Sequence, residues 1–146
     1  MNNKYIEIAL REAKKGFAQN EVPVGAVIVR DGNVIAKAHN LKIKTNKIIN
    51  HAEIIALIKA TEIIKDWRLC DCEMYVTLEP CPMCAGAIVQ SRIKKIYIGA
   101  KSNVENNDKI IESILNNDKY YHHVNIEYLN NPECSKIITD FFANKR

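Results

Sequence analysis

The chain has 146 residues, 47% of them hydrophobic and 26% charged, with a formal net charge of +4. That is globular usage for one domain, residues 1–146, able to bury its own core; it excludes a disordered chain, a low-complexity tract and a repeat array. No charged-then-apolar leader and no run of about 18 apolar residues occurs, so no membrane partner is expected, and five cysteines, an odd number, fit a reducing cytoplasm better than a disulfide framework.

In chain order, Ile6, Ala9, Leu10, Ala13 and Phe17 recur at helical spacing between charged residues, which predicts an amphipathic helix over Tyr5 to Phe17. Glu21-Val22-Pro23 ends it. Val24 to Val29 reads as a buried strand that turns at Asp31-Gly32 into a second, Val34 to Ala38, forming a hairpin. The polar stretch from His39 to Asn50 is a long loop of the kind that is often functional. It carries Lys42, Lys44 and Lys47 and no acid. These lysines, with Lys145 and Arg146 at the end of the chain, read equally as solvated surface or as phosphate contacts. His39 reads as a surface residue, and Asn40 at a strand end as a turn former.

Asn50 precedes an apolar run and reads as the N-cap of a helix to about Lys65, placing His51 and Glu53 in its first turn. A regular alternation follows: strand Met74 to Thr77, helix Pro82 to Gln90, strand Lys95 to Ile98, helix near Lys109 to Leu115, strand Val124 to Tyr128 and a last helix from Pro132. Strand–helix–strand steps imply parallel strands joined by right-handed crossovers. The expected architecture is a three-layer α/β/α fold: a five-stranded mixed sheet, N-terminal hairpin first and parallel strands after, flanked by helices on both faces.

Two short motifs carry the chemistry, His51-Ala52-Glu53 and Pro80-Cys81-Pro82-Met83-Cys84. One imidazole and two thiols suit a tetrahedral zinc, and three protein ligands in place of four leave a position for water, the mark of a catalytic site. Pro82 suits the first position of a helix capped at Cys81, so Cys81 and Cys84 share one face where free N–H groups and the helix dipole favour thiolates. Glu53 would be the base beside the water. Each half also has a plainer reading. Asn50-x-x-Glu53 is a capping box, and Cys-x-x-Cys alone is a redox pair or half of a structural zinc knot. No second Cys-x-x-Cys exists to close such a knot, and a structural site leaves Glu53 unexplained.

These motifs resemble the zinc-dependent deaminases of nucleobases, and within that superfamily the chain is similar to the bacterial tRNA-specific adenosine deaminases. The resemblance rests on Glu21 to Ala26, Asn50 to Glu53, Tyr75 to Ala87, Ser91-Arg92-Ile93, Glu133-Cys134 and Asp140-Phe141-Phe142. It implies one Zn2+ per subunit held by His51, Cys81 and Cys84, proton transfer by Glu53, and conversion of the wobble adenosine of a tRNA anticodon stem-loop to inosine. It further implies that Asn40 bonds the flipped base, that Pro23 and Val24 belong to one pocket wall, that Phe141 and Phe142 lie near the anticodon loop, and that the protein is a cytoplasmic homodimer. For Phe141 and Phe142 the apolar faces of an amphipathic helix are an equal reading. After Gly99-Ala100 the family pattern has an Asp-x-Lys-x-Gly-Ala type of run. Here Ser102 stands at the aspartate position and no glycine follows. Because that loop helps seat the target nucleotide, a deaminase of free bases or nucleotides remains open, as does a zinc-bearing RNA-binding module without activity.

Overall fold

Alternation along each strand decides which helices cover which face of the sheet. The computed structural model describes residues 3–120 and 122–144. Its elements are α1 (Asn3–Ala18), β1 (Gly25–Arg30), β2 (Asn33–His39), α2 (Lys42–Thr45), α3 (Ala52–Ile64), β3 (Cys72–Leu78), α4 (Pro82–Gln90), β4 (Lys95–Ala100), α5 (Asn107–Leu115), β5 (Asn125–Tyr128) and α6 (Pro132–Ala143). Val27, Val29, Tyr75 and Tyr97 pack with Ile6, Ala9 and Leu10 of α1 and Cys134 of α6. Their neighbours Ala26, Ile28, Met74, Val76, Ile96 and Ile98 pack on the other face with residues of α3, α4 and α5. Each large side chain removed from water in these two layers contributes about 1.5–3 kcal/mol.

The sheet order is β2-β1-β3-β4-β5. The β1–β2 turn has Asp31 at φ 51° and Gly32 at φ 78°, the left-handed pair that matches the twist of a two-residue hairpin. β1 also pairs antiparallel with β3, while β3–β4 and β4–β5 are parallel. This is the five-stranded mixed sheet expected from the alternation. The antiparallel pairing of β1 with β3, which no local signal announces, brings the start of β1, the end of β2 and the ends of β3 and β4 to one edge of the sheet. Open α/β sheets place their sites at that edge.

Two local expectations are corrected. His39 is not a surface residue: its side chain is 16% exposed and its Nδ1 lies 3.2 Å from the Glu12 carboxylate of α1. Its ring also lies beside Gly16 of α1, where an added Cβ would meet it at 3.6 Å, an ordinary van der Waals contact. The His39 to Asn50 stretch is also not all loop, because α2 forms within it. The buried Glu21 carboxylate accepts the N–H groups of Ile43 at 3.1 Å and Lys44 at 2.8 Å, satisfying donors that so short a helix leaves free. Among the described residues no helix is long and apolar enough to cross a membrane.

Gly25 fixes how α1 meets the sheet. A Cβ there would lie 1.8 Å from the Ala9 carbonyl oxygen. Its N–H donates to Thr77 Oγ1 at 3.0 Å, so the strand start cannot slide away to make room. Gly25→Ala is expected to lower the unfolding free energy by at least about 1–3 kcal/mol, the usual cost of overpacking. Urea denaturation checks this, and an unchanged midpoint would contradict so close an approach.

Candidate active site

Two helix starts converge on one point. His51 occupies the N-cap of α3 at φ −76°, ψ 153°. Cys81 occupies the N-cap of α4 at φ −76°, ψ 170°, followed by Pro82 in the first turn, and Cys84 lies one turn further along. The cap of α3 differs from the sequence expectation. Asn50 is not the N-cap: its Nδ2 donates to Thr45 Oγ1 at 2.8 Å and its N–H to the Lys47 carbonyl. The side chain that satisfies the helix start comes from Asn40, whose buried Oδ1 accepts the Ala52 N–H at 2.7 Å. The capping box with Glu53 is likewise absent, because Glu53 is turned inward and is 3% exposed.

His51 Nδ1 lies 3.5 Å from Cys84 Sγ and 3.8 Å from Cys81 Sγ. A tetrahedral zinc with Zn–N near 2.0–2.1 Å and Zn–S near 2.3 Å has N···S edges of about 3.6 Å, so the three donors already stand at coordination spacing. Among the described residues they form the one such group of histidine, cysteine and acidic side chains.

The electrostatics match. The contact with Cys84, reinforced by His51, pushes the Cys81 thiol down to about 4. The same contact, together with burial, pushes Cys84 up. His51 is raised, foremost by its hydrogen bond to Cys81. Burial raises the Glu53 carboxyl to about 7. In the absence of a cation the pair thus shares one thiolate beside an imidazole and a carboxyl poised near neutrality.

His51, Glu53 and Cys81 open onto a cavity of about 380 Å³ that is also lined by Val22, Val24, Asn40 and Ser102. Of the residues singled out in the sequence, Pro23 is buried behind this wall and does not line it. A second cavity of about 420 Å³ adjoins the first through shared Val22, Leu78, Ser102 and Val104, and Phe142 lines it. Phe142 is 47% exposed, whereas Phe141 is buried against Phe17 with ring centroids 5.7 Å apart. The two phenylalanines therefore divide between the cavity and the core. Lys42 also lines the first cavity, held there by the Glu21 anchor of α2. Lys145 and Arg146 lie outside the described residues.

Sequence reasoning missed Glu79, Asn107, Leu78, Val104 and Ile110 in the cavity wall. Glu79 had one available signal, an acid interrupting the apolar run just before Pro80-Cys81. Asn107 had none. The segment 101–106 makes its tight bend without glycine: Asn106 takes φ 61°, a left-handed conformation that asparagine tolerates better than most residues.

Residues 1–100 match the model of the cytidine and deoxycytidylate deaminase zinc-binding region. The chain is 38% identical over 143 residues to the tRNA-specific adenosine deaminase of Bacillus subtilis, covering 97% of this chain and 89% of that one. It is 39% identical to the tRNA-specific adenosine deaminase of Aquifex aeolicus, covering 97% and 94%. The chain belongs to the tRNA-specific adenosine deaminases. A solved structure from a study of A-to-I editing by tRNA:A34 deaminases at the wobble position superposes with a TM-score of 0.84 at 35% identity, over 92% of this chain and 99% of that one. The guanine deaminase of Bacillus subtilis gives a TM-score of 0.67 at 37% identity, over 69% of this chain and 65% of that one. For this family of zinc-dependent deaminases the cofactor is zinc, and the donor set at His51, Cys81 and Cys84 fits it.

Metal removal should unmask a reactive thiolate. In chelator-treated protein Cys81 is expected to be alkylated by iodoacetamide at a rate that stays level from neutral pH downward and falls only toward pH of about 4, because the thiolate is the nucleophile. Cys134, pushed up to about 12 by burial, should stay unmodified, and added zinc should protect Cys81. Peptide mapping by mass spectrometry reads all three, and equal labelling with and without zinc would remove Cys81 from the metal site.

Proposed function

We propose that this protein deaminates adenosine to inosine at the wobble position of a tRNA anticodon, as one deaminase domain spanning 1–146 that pairs as a homodimer in the cytoplasm. The observation that carries this reading is the gathering of His51, Cys81 and Cys84 beside a buried Glu53 on one cavity, in a chain similar end to end to tRNA-specific adenosine deaminases. His51, Cys81 and Cys84 would hold the zinc, which would supply the acidification of water, from a pKa of about 15.7 to about 7, that makes a nucleophile at neutral pH.

Glu53 accepts a proton from the attacking water as its oxygen adds to the purine carbon that bears the exocyclic amine. The same carboxyl returns that proton to the adjacent ring nitrogen, then takes the second proton from the added oxygen and hands it to the amine, which leaves as ammonia as the carbonyl forms. Burial supports this double role, since a carboxyl raised to about 7 both takes and gives protons at neutral pH. Asn40 has its Oδ1 committed to the Ala52 N–H, which leaves its Nδ2 to donate to the base. Val22 and Val24 supply an apolar wall for the purine. Ser102, at the junction of the two cavities, and Phe142, in the second of them, contact the neighbouring nucleotides in this reading, and Lys42 a backbone phosphate. Phe141 and Pro23 support these contacts from the core and do not make them.

A second reading, deamination of a free base, is favoured by the likeness to the guanine deaminase of Bacillus subtilis. A panel of the anticodon stem-loop with free guanine, cytosine and adenosine distinguishes the two. Inosine in the stem-loop alone is expected, and ammonia from a free base alone would replace the RNA reading. Glu53→Ala should fold and retain zinc while losing about 10²–10⁴-fold in turnover, the usual contribution of general acid–base catalysis. Near-normal turnover would free Glu53 from that role. Lys42→Ala should weaken stem-loop binding and make log Kd against log salt shallower by about 0.7–0.9, one phosphate contact. An unchanged salt slope would return Lys42 to the solvated surface.

A further inference from the structure

The segment 101–106 faces both cavities through Ser102 and Val104, yet it contains neither glycine nor regular structure. What holds it is a buried carboxylate. Glu79 is 5% exposed, and its Oε1 accepts the Ser102 N–H at 3.3 Å and Asn107 Nδ2 at 2.8 Å. Its Oε2 accepts the Tyr128 hydroxyl at 2.7 Å. Asn107, also 5% exposed, gives its other Nδ2 hydrogen to the Pro80 carbonyl at 3.2 Å. Both partners of that amide are acceptors, so its orientation is fixed by chemistry. Among the described residues the carboxylate forms no ion pair, and three donors are what make its burial tolerable.

We infer that Glu79, Asn107 and Tyr128 form a positioning bracket that sets segment 101–106 against the nucleotide cavity and so governs substrate affinity. The bracket reaches three separate elements. Tyr128 ends β5, Asn107 opens α5, and Glu79 lies between the end of β3 and the Cys81 start of α4. One carboxylate, set just before the helix that carries Cys81 and Cys84, thus ties the cavity wall to α5 and β5. None of the three residues touches His51, Glu53 or the cysteines in a hydrogen bond, so the bracket acts on where the substrate sits and not on the proton transfers. In this chain it does the work that a glycine-containing loop would do by its own backbone.

The inference rests on the tRNA reading, and its test separates the two. Zinc-loaded wild type, Asn107→Ala and Tyr128→Phe are compared on the anticodon stem-loop for kcat, KM and zinc content, with amide hydrogen exchange of 101–107 measured on the same samples. Asn107→Ala is expected to raise KM about tenfold and Tyr128→Phe about threefold, each losing one hydrogen bond to a charged group. In both variants kcat and zinc should stay within about twofold of wild type, with exchange accelerated in 101–107 and unchanged in α3. Tyr128→Phe removes a single hydroxyl and keeps the test open if Asn107→Ala does not fold. Wild type inactive on the stem-loop overturns the tRNA reading, and this inference with it. Active wild type whose variants keep KM, or lose zinc or kcat instead, overturns the bracket alone.

Discussion

The hydrogen bond from the Ala52 N–H to Asn40 Oδ1 couples the end of a strand to the start of the helix that carries His51 and Glu53. It is buried, so breaking it leaves an unsatisfied donor and acceptor at the price of roughly 1–3 kcal/mol. Geometry follows from it. β2 delivers Asn40 to the sheet edge, Asn40 sets the entry of α3, and the N-cap conformation of His51 then turns its ring toward the thiols of α4. The same asparagine lines the cavity. A residue that reads as a substrate contact is thus first a structural one, with its Oδ1 committed to the start of α3.

Packing on the two faces of the sheet makes that edge rigid. Gly25 locks α1 onto β1 by backbone approach, and its bond to Thr77 fixes β1 against β3 two residues before Glu79. Thr77, Leu78, Glu79 and Pro80 then lead directly into Cys81. The carboxylates of Glu12, Glu21 and Glu79 are all buried. Each anchors a segment of the site surround by accepting donors that the segment cannot satisfy internally: His39 at the end of β2, α2 beneath the lysines, and the wall 101–106. The cavity is shaped by these buried acids, of which Glu79 also stands in its wall.

The legible parts of the sequence are the ones whose cause is local. Helical and alternating periodicity places the strands and helices because burial acts residue by residue, and Cys81-Pro82-Met83-Cys84 announces its own helix start, cap and ligand face. What was not legible is set by partners distant in the chain. Asn50 stands next to α3 and reads as its cap, and only the hairpin's position in the sheet brings the distant Asn40 to the helix start in its place. His39 lies at a strand end like many exposed histidines, and Glu12 of another element draws it inward. Phe141 and Phe142 are adjacent and identical in composition. The face of α6 that meets Phe17 separates them.

Charge balance explains why the site needs all its parts together. Two thiolates and an ionised Glu53 place three negative charges within a few ångströms in largely buried surroundings. A zinc dication, with the two helix N-termini of roughly half a charge each, offsets them almost fully. Among the side chains themselves, contact with Cys81 and burial push Cys84 up, burial raises Glu53 to about 7, and contact with Cys84 pushes Cys81 down to about 4. Zinc held by His51, Cys81 and Cys84 would take both sulfurs as thiolates and would favour an ionised Glu53, the state in which it serves as a base. The helices that bring the ligands together also set the charge that the ligands and the carboxylate can carry, so fold and catalysis draw on one electrostatic arrangement.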